Sequence, residues 1–229
     1  MLNAVLFDLD GTITNPEVGI TSSFRYALEQ VGHPAEPDAD LRWIIGPSIL
    51  EIVERHGLPV SLKDEIAAIY RGRLREIGLS QAVLIEGMVD VIDELRSEGI
   101  RLALASAKMI DMGETTLRQF DLLDRFDVVA GTLADGKVRP KSLIVADALE
   151  GLGNPDPTSV AMVGDRRHDI EGARHNGLHA IAVNWGFAEP GEHDALPPDH
   201  FVDTPEELLA TLMGLPSKRS EQSGPSGVS

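Results

Sequence analysis

Ala4-Val5-Leu6-Phe7-Asp8-Leu9-Asp10-Gly11-Thr12 is an apolar run that ends abruptly in two carboxylates, a glycine and a threonine. The run suits a buried strand. Residues two apart on a strand share a face, so Asp8 and Asp10 can point into one site. Gly11 lets the chain turn there and brings backbone N–H groups close to a ligand. Taken alone, the stretch also reads as a strand followed by an acidic turn. The rest of the chain decides between the two readings, because it supplies the partners such a pair needs.

The chain has 229 residues, enough for one large domain or one domain with an insertion, and its 42% apolar content supports a sizeable core. Net charge is −17, from 37 acidic and 20 basic residues. A field of that sign repels phosphate backbones and anionic lipid, which argues against nucleic-acid duplexes and membrane surfaces as partners. An anionic substrate therefore needs a local positive centre. The absence of cysteine excludes disulfides and thiolate metal sites and fits a reducing compartment. No leader pattern precedes the first strand and no apolar run reaches spanning length, so the expectation is a soluble, cytoplasmic protein, monomer or homodimer.

Outward from Thr12 the periodicity changes. Ile20, Phe24, Ala27, Leu28 and Val31 recur at helical spacing up to Gly32. Ile49, Ile52 and Val53 follow Gly46-Pro47-Ser48, and Leu62, Ile66, Ile69, Tyr70 and Leu74 mark a longer helix ending near Gly78. No strand pattern occurs between 17 and 81. From 86 onward helices and strands alternate: helices over 88–98, 111–120, 141–152 and 167–176, strands over 100–105, 128–130, 160–163 and 180–183, and short helices over 205–213. Such alternation with continuous apolar strands predicts an α/β fold, a Rossmann-like parallel sheet with helices on both faces. The expected organisation is an α/β core formed by 1–14 and 86–216, an inserted α-helical cap over 15–85, and a disordered Ser- and Gly-rich tail over 217–229.

Ligands of such sheets bind beyond the carboxyl ends of the strands. The first strand is followed by Asp8, Asp10, Gly11 and Thr12, the second by Ser106-Ala107-Lys108, the third by a loop with Lys137, Arg139 and Lys141, and the fourth by Gly164-Asp165-Arg166-Arg167-His168-Asp169. Asp165 alone could be a helix N-cap, but that does not account for Asp169 or for the coincidence with Asp8 and Asp10. Carboxylates without His or Cys make an oxygen-only site suited to Mg²⁺, an ion that shares its sphere with substrate phosphate. Ser106, the Ala107 N–H and one lysine are placed to hold phosphoryl oxygens. Phosphoryl transfer needs mainly positioning and charge neutralisation, and this set offers both.

These residues resemble the haloacid dehalogenase-like hydrolase superfamily, in particular its phosphoglycolate-phosphatase-like branch with a helical cap after the first strand. Asp8-Leu9-Asp10-Gly11-Thr12 matches the first motif, Ser106 the second, Lys141 the third and Gly164 to Asp169 the fourth; Asn184-Trp185-Gly186-Phe187 resembles a segment common in that branch. The resemblance implies a Mg²⁺-dependent phosphatase for a small phosphorylated metabolite, acting through an aspartyl phosphate. Asp8 is implied as nucleophile and metal ligand, and Asp10 as general acid/base and metal ligand through its backbone carbonyl. Asp165 is implied as the third ligand, with Asp169 holding a water of the ion. Ser106, Ala107 and Lys141 are implied to bind the phosphoryl group, Lys141 also neutralising Asp8.

Lys108 and Lys137 compete with Lys141; Pro140, suited to a helix start, favours Lys141. Arg166 is expected to orient the fourth loop, Trp185 to pack, His168 to face solvent, and His175 and His179 to be ordinary helix-end or surface residues. Gly46-Pro47-Ser48, with Arg42 nearby, resembles a cap loop that reaches over the active site; it reads equally as a helix–helix connection. A phosphomutase would use the same residues, and a non-catalytic binding protein would be expected to have lost Asp8 or Asp10. A dehalogenase would leave Asp10 and the metal set without a task.

Overall fold

The computed structural model describes residues 2–133 and 139–216. Strand β1 (Ala4–Phe7) is buried on both faces. Its alternation sends Val5 and Phe7 into one apolar cluster and Ala4 and Leu6 into another, as a period of two requires. After β2 (Thr14–Asn15) come helices α1 (Glu17–Gln30), α2 (Ile49–Arg55) and α3 (Lys63–Glu76), then β3 (Val83–Leu84) and α4 (Met88–Ser97). The chain continues through β4 (Arg101–Met109), α5 (Ile110–Gln119), β5 (Val128–Thr132), α6 (Lys141–Gly151), β6 (Val160–Gly164) and α7 (Arg167–His175). It ends in β7 (His179–Val183), β8 (His200–Val202) and α8 (Pro205–Gly214).

Six strands form one parallel sheet in the order β5-β4-β1-β6-β7-β8. Helices α4, α5 and α8 cover one face with Met88, Ile92, Leu95, Leu117, Leu208 and Leu212. Helices α6 and α7 cover the other with Ile144, Val145, Ala148, Ile170 and Ala173. Connections leave β1 in opposite directions on its two sides, which opens a crevice at its carboxyl end. The Rossmann-like arrangement expected from the alternation is therefore present.

Two elements go beyond the sequence reading. The β2–β3 ribbon pairs Thr14 with Leu84 and Asn15 with Val83, so the two passages between sheet and helical block lie side by side. Strand β8 adds a sixth position to the sheet, although of its three residues only Val202 is buried. Strand β4 also runs past Ser106 to Met109, with a register shift against β5 between Ala105 and Met109. Such an irregularity re-aims side chains at a sheet end.

The helical block packs around Phe24, Leu28, Ile45, Val53 and Ile66, and this cluster closes on Met109 and Met112 from the sheet side. Ser48 opens α2 with a capping box: its Oγ accepts from Glu51 N at 3.3 Å, and Glu51 Oε2 accepts from Ser48 N at 2.8 Å. Among the described residues no helix is long and apolar enough to cross a membrane. Lys137 and the 217–229 tail lie outside the described residues.

Candidate active site

The β1–β6 pairing carries Asp8 to the sheet edge, where its N–H donates to Val163 O at 2.9 Å. The chain then turns tightly: Ile13 N and Thr14 N both donate to Leu9 O, at 2.9 and 3.0 Å. Gly11 makes this turn with φ +90°, and a Cβ there would lie 2.3 Å from Asp165 Oδ2. Both the backbone conformation and the close approach of Asp165 require glycine.

Asp8, Asp165 and Asp169 are buried, and one carboxylate oxygen from each lies within 4.8 Å of the others. Lys141, at the start of α6, bridges two of them: its Nζ is 2.8 Å from Asp8 Oδ1 and 2.6 Å from Asp169 Oδ1. The resemblance implied Lys141 for Asp8; the structure adds the contact with Asp169. The second Asp169 oxygen accepts from Arg166 N at 3.0 Å, which ties the fourth loop to the start of α7. Asp165 Oδ2 accepts from Phe187 N at 2.7 Å, while its Oδ1 has no hydrogen-bond partner among the described residues.

The electrostatics follow from that crowding. Burial, reinforced by Asp169 and Asp8, pushes the Asp165 carboxyl well above the usual carboxylate range. Burial alone would depress the Lys141 ammonium, but Asp169 and Asp8 outweigh it and keep the group charged. Three buried carboxylates with one ammonium and an orphaned Asp165 oxygen suit a divalent cation with hard oxygen ligands.

The Asp10 carboxylate stands outside this group. It faces Lys108, whose Nζ is 2.6 Å from Asp10 Oδ1, with the two side chains only 5% and 14% exposed. Lys108 and Lys141 therefore both belong to the site, one serving each aspartate of the first stretch. Burial pushes the Asp10 carboxyl upward, opposed by the attraction and hydrogen bond of Lys108.

Ser106 is buried, and its Oγ accepts from Lys108 N at 3.3 Å. Ser106 and Ala107 line the same cleft as Asp8, Asp10, Lys141 and Asp169. Thr132 Oγ1 donates to Ala107 O at 2.7 Å, holding the β4 irregularity in place.

From the helical block, Gly46, Pro47 and Ser48 line this cleft. Arg42 does not. It is paired with Asp40 at 3.1 Å, and both side chains are about 60% exposed, so of the two open readings of this stretch the one over the site does not extend to Arg42. His168, partly exposed as expected, also lines the cleft, its Nδ1 3.5 Å from Glu171 Oε2, with His175 beside it on the same helix. His179 is buried, its Nε2 3.2 Å from Thr158 O, and is not a surface residue. Trp185 packs against the core and its Nε1 donates to Thr12 O at 3.2 Å.

Arg166 does brace the fourth loop, through a partner the sequence reading missed. Its Nε lies 2.9 and 3.1 Å from the two Glu192 oxygens, and its Nη1 donates to Ile45 O of the helical block. Glu192 also accepts from Arg167 N at 2.8 Å and Glu189 N at 2.9 Å. His193, also missed, places Nε2 3.1 Å from Asp165 O, which requires the proton on Nε2. In the sequence these two residues stand in an ordinary acidic stretch; only their closeness to Phe187, whose N–H holds Asp165, hinted at a task.

A family model described as haloacid dehalogenase-like hydrolase matches residues 5–183. Tyrosine-protein kinase PtkA of Mycobacterium tuberculosis is 39% identical over 184 residues, which are 80% of this chain and 62% of PtkA. This chain thus spans less than two thirds of that relative. A 5'-nucleotidase of Pseudomonas aeruginosa is 33% identical over 199 residues, 86% of this chain and 89% of its own. The crystal structure of a predicted phosphatase from Clostridium acetobutylicum superimposes with a TM-score of 0.88 at 29% identity, covering 94% of this chain and all of that one.

Proposed function

The chain belongs to the haloacid dehalogenase-like hydrolase family, and we propose that it hydrolyses small phosphomonoesters with Mg²⁺ through an aspartyl phosphate on Asp8. The observation that carries this reading is the gathering of buried Asp8, Asp165 and Asp169 at one end of a cleft, with Lys141 bridging Asp8 and Asp169. The side chains of Asp8 and Asp165 and the backbone carbonyl of Asp10 would hold the ion, with Asp169 behind them. When bound, the ion neutralises charge on the phosphoryl oxygens.

The chain's own residues then divide the work. Ser106, the Ala107 N–H and Lys141 hold the phosphoryl oxygens. An Asp8 oxygen attacks phosphorus as the bond to the ester oxygen breaks. Asp10 gives its proton to that oxygen, and the alcohol leaves. Lys108 occupies Asp10 Oδ1, which leaves Oδ2 to carry the proton. Asp10, now ionised, takes a proton from a water whose oxygen attacks the phosphorus. The bond to Asp8 breaks, phosphate departs and both carboxyls return to their starting states.

Asp8→Asn and Asp10→Asn should fail differently. Losing a general acid costs about 10²–10⁴-fold on an alkyl phosphate, but far less on nitrophenyl phosphate, whose leaving group needs no proton. In a single turnover, Asp10→Asn should release nitrophenol and stall with phosphate on Asp8, seen by mass spectrometry of quenched protein. Asp8→Asn should show neither. Phosphate on another residue, or equal silence of both variants, sinks the assignment. Net phosphate release with repeated turnover separates the hydrolase from a mutase, which returns the phosphoryl group to a second alcohol.

A further inference from the structure

The cleft that ends on Asp8 and Asp10 has a volume of about 620 Å³. That lies within the range of about 300–1,000 Å³ that takes drug-sized ligands. A phosphate with a two-carbon tail would fill a small part of it and leave the remainder wet.

The chemistry of the walls says what should fill it. Ile44, Ile49, Ile52 and Tyr70 face it from the helical block, and Met109 and Met112 from the sheet side. The Tyr70 ring is held edge-on by Phe24, at 6.0 Å and 75°. Methionines adapt to flat surfaces through a polarizable sulfur, and an aromatic ring offers a face or an edge to another ring. A chain of sugar hydroxyls set against these apolar side chains would lose water there, while from the helical block Ser48, Glu51 and Arg71 offer polar groups to the cleft. Along α7, His168, Glu171 and His175 share one helix face and line the same cleft, so a few polar groups meet the edge of whatever the wall holds.

Resting on the phosphomonoesterase reading, we propose that the preferred substrate is a phosphomonoester whose alcohol carries a bulky, planar, apolar-faced group of nucleobase size. Small hydroxy-acid phosphates and bare sugar phosphates are then poor substrates.

Adenosine 5'-monophosphate and ribose 5-phosphate test this directly, because they share a primary-alcohol leaving group and differ by the base. Phosphate release should give a kcat/KM at least about tenfold higher for the nucleotide, the factor that about 1.4 kcal/mol of added binding supplies. Naphthyl phosphate should join the nucleotide, and 2-phosphoglycolate the sugar phosphate. Ile49→Asp suits the first turn of α2, where an acidic side chain is favoured, so the helix should survive it. It should draw the nucleotide-to-sugar ratio toward one, whereas Ile49→Leu should retain it. Equal or better turnover of ribose 5-phosphate or 2-phosphoglycolate overturns the substrate assignment while hydrolysis stands. An unchanged ratio in Ile49→Asp overturns the assignment of the wall. No release from any ester, nitrophenyl phosphate included, overturns this proposal together with the hydrolase reading beneath it.

Discussion

Replacing Glu192 by alanine should be among the most damaging changes outside the cleft's aspartates. Glu192 and Arg166 form an ion pair with side chains only 6% and 7% exposed. Removing the carboxylate strands a buried guanidinium and also orphans the N–H groups of Arg167 and Glu189. Truncating one member of a buried pair costs about 3–5 kcal/mol. In a chain of this size each kcal/mol lowers the melting temperature by about 2–4 °C, so the expected drop is about 6–20 °C. Glu192→Gln keeps the shape and an acceptor and should fall between the variant and the parent. The pH dependence has a definite sign. Burial alone would raise Glu192, but Arg166 and the two N–H donors outweigh it and hold the carboxyl below the usual range. Its contribution is therefore complete above the ordinary glutamate value, about 4.3, and is lost as pH falls through the depressed folded value. Urea unfolding at a series of pH values, with calorimetry, measures both. A Glu192→Ala loss under about 1 kcal/mol, or an equally steep acid limb in the variant, would refute the reasoning.

Other expectations follow from the same contacts. Metal-free Asp165 is held well above the usual range, by burial first and then by Asp169 and Asp8. A raised carboxyl favours folding below the ordinary aspartate value, about 3.9, and its contribution is lost as pH rises through the folded value. Mg²⁺ at 100 times its Kd should therefore add about 2.7 kcal/mol at pH 7.5, and less at pH 5, read as a melting shift; no shift at either pH removes these carboxylates as the ion's site. Lys141→Met should lower kcat/KM by about 10²–10³-fold, because Asp8 and Asp169 lose their shared ammonium; a loss under about tenfold would count against its place in the reaction. Gly11→Ala should abolish turnover and the Mg²⁺ melting shift together, since its Cβ would meet Asp165 Oδ2 at 2.3 Å; a retained shift would show that the turn yields. Arg42→Ala should leave both kcat/KM and the substrate ranking unchanged, because its partner is the exposed Asp40; an altered ranking would return Arg42 to the cleft.

Legibility varied with how local the cause was. The main helices were readable because each carries its own apolar period and the core strands because each is an unbroken apolar run, and their ends fall within a residue or two of the structure in most cases. The ribbon of Thr14–Asn15 and Val83–Leu84 was not, since two residues carry no period and the pairing joins positions far apart in the chain. Strand His200–Val202 escaped for a similar reason: at a sheet edge only Val202 needs to be apolar. In the sequence Lys108 stands only as a competitor of Lys141 for the phosphoryl group. The register shift in β4 instead turns it inward to Asp10.

By itself the sequence determined the α/β alternation, the helical insertion and the order in which chemistry-bearing residues leave the strands. Parallel topology then gathers those residues on one sheet edge, whatever the loops do in detail. Tertiary structure alone decided that Lys108 meets Asp10 and that Lys141 also reaches Asp169. It also decided that Arg166 finds its counter-charge in Glu192, 26 positions away, and that Arg42 pairs with exposed Asp40 away from the cleft. The physical reason is reach. Periodicity and caps act within a few residues, whereas a buried charge is settled by whichever partner the packed chain brings within about 3 Å.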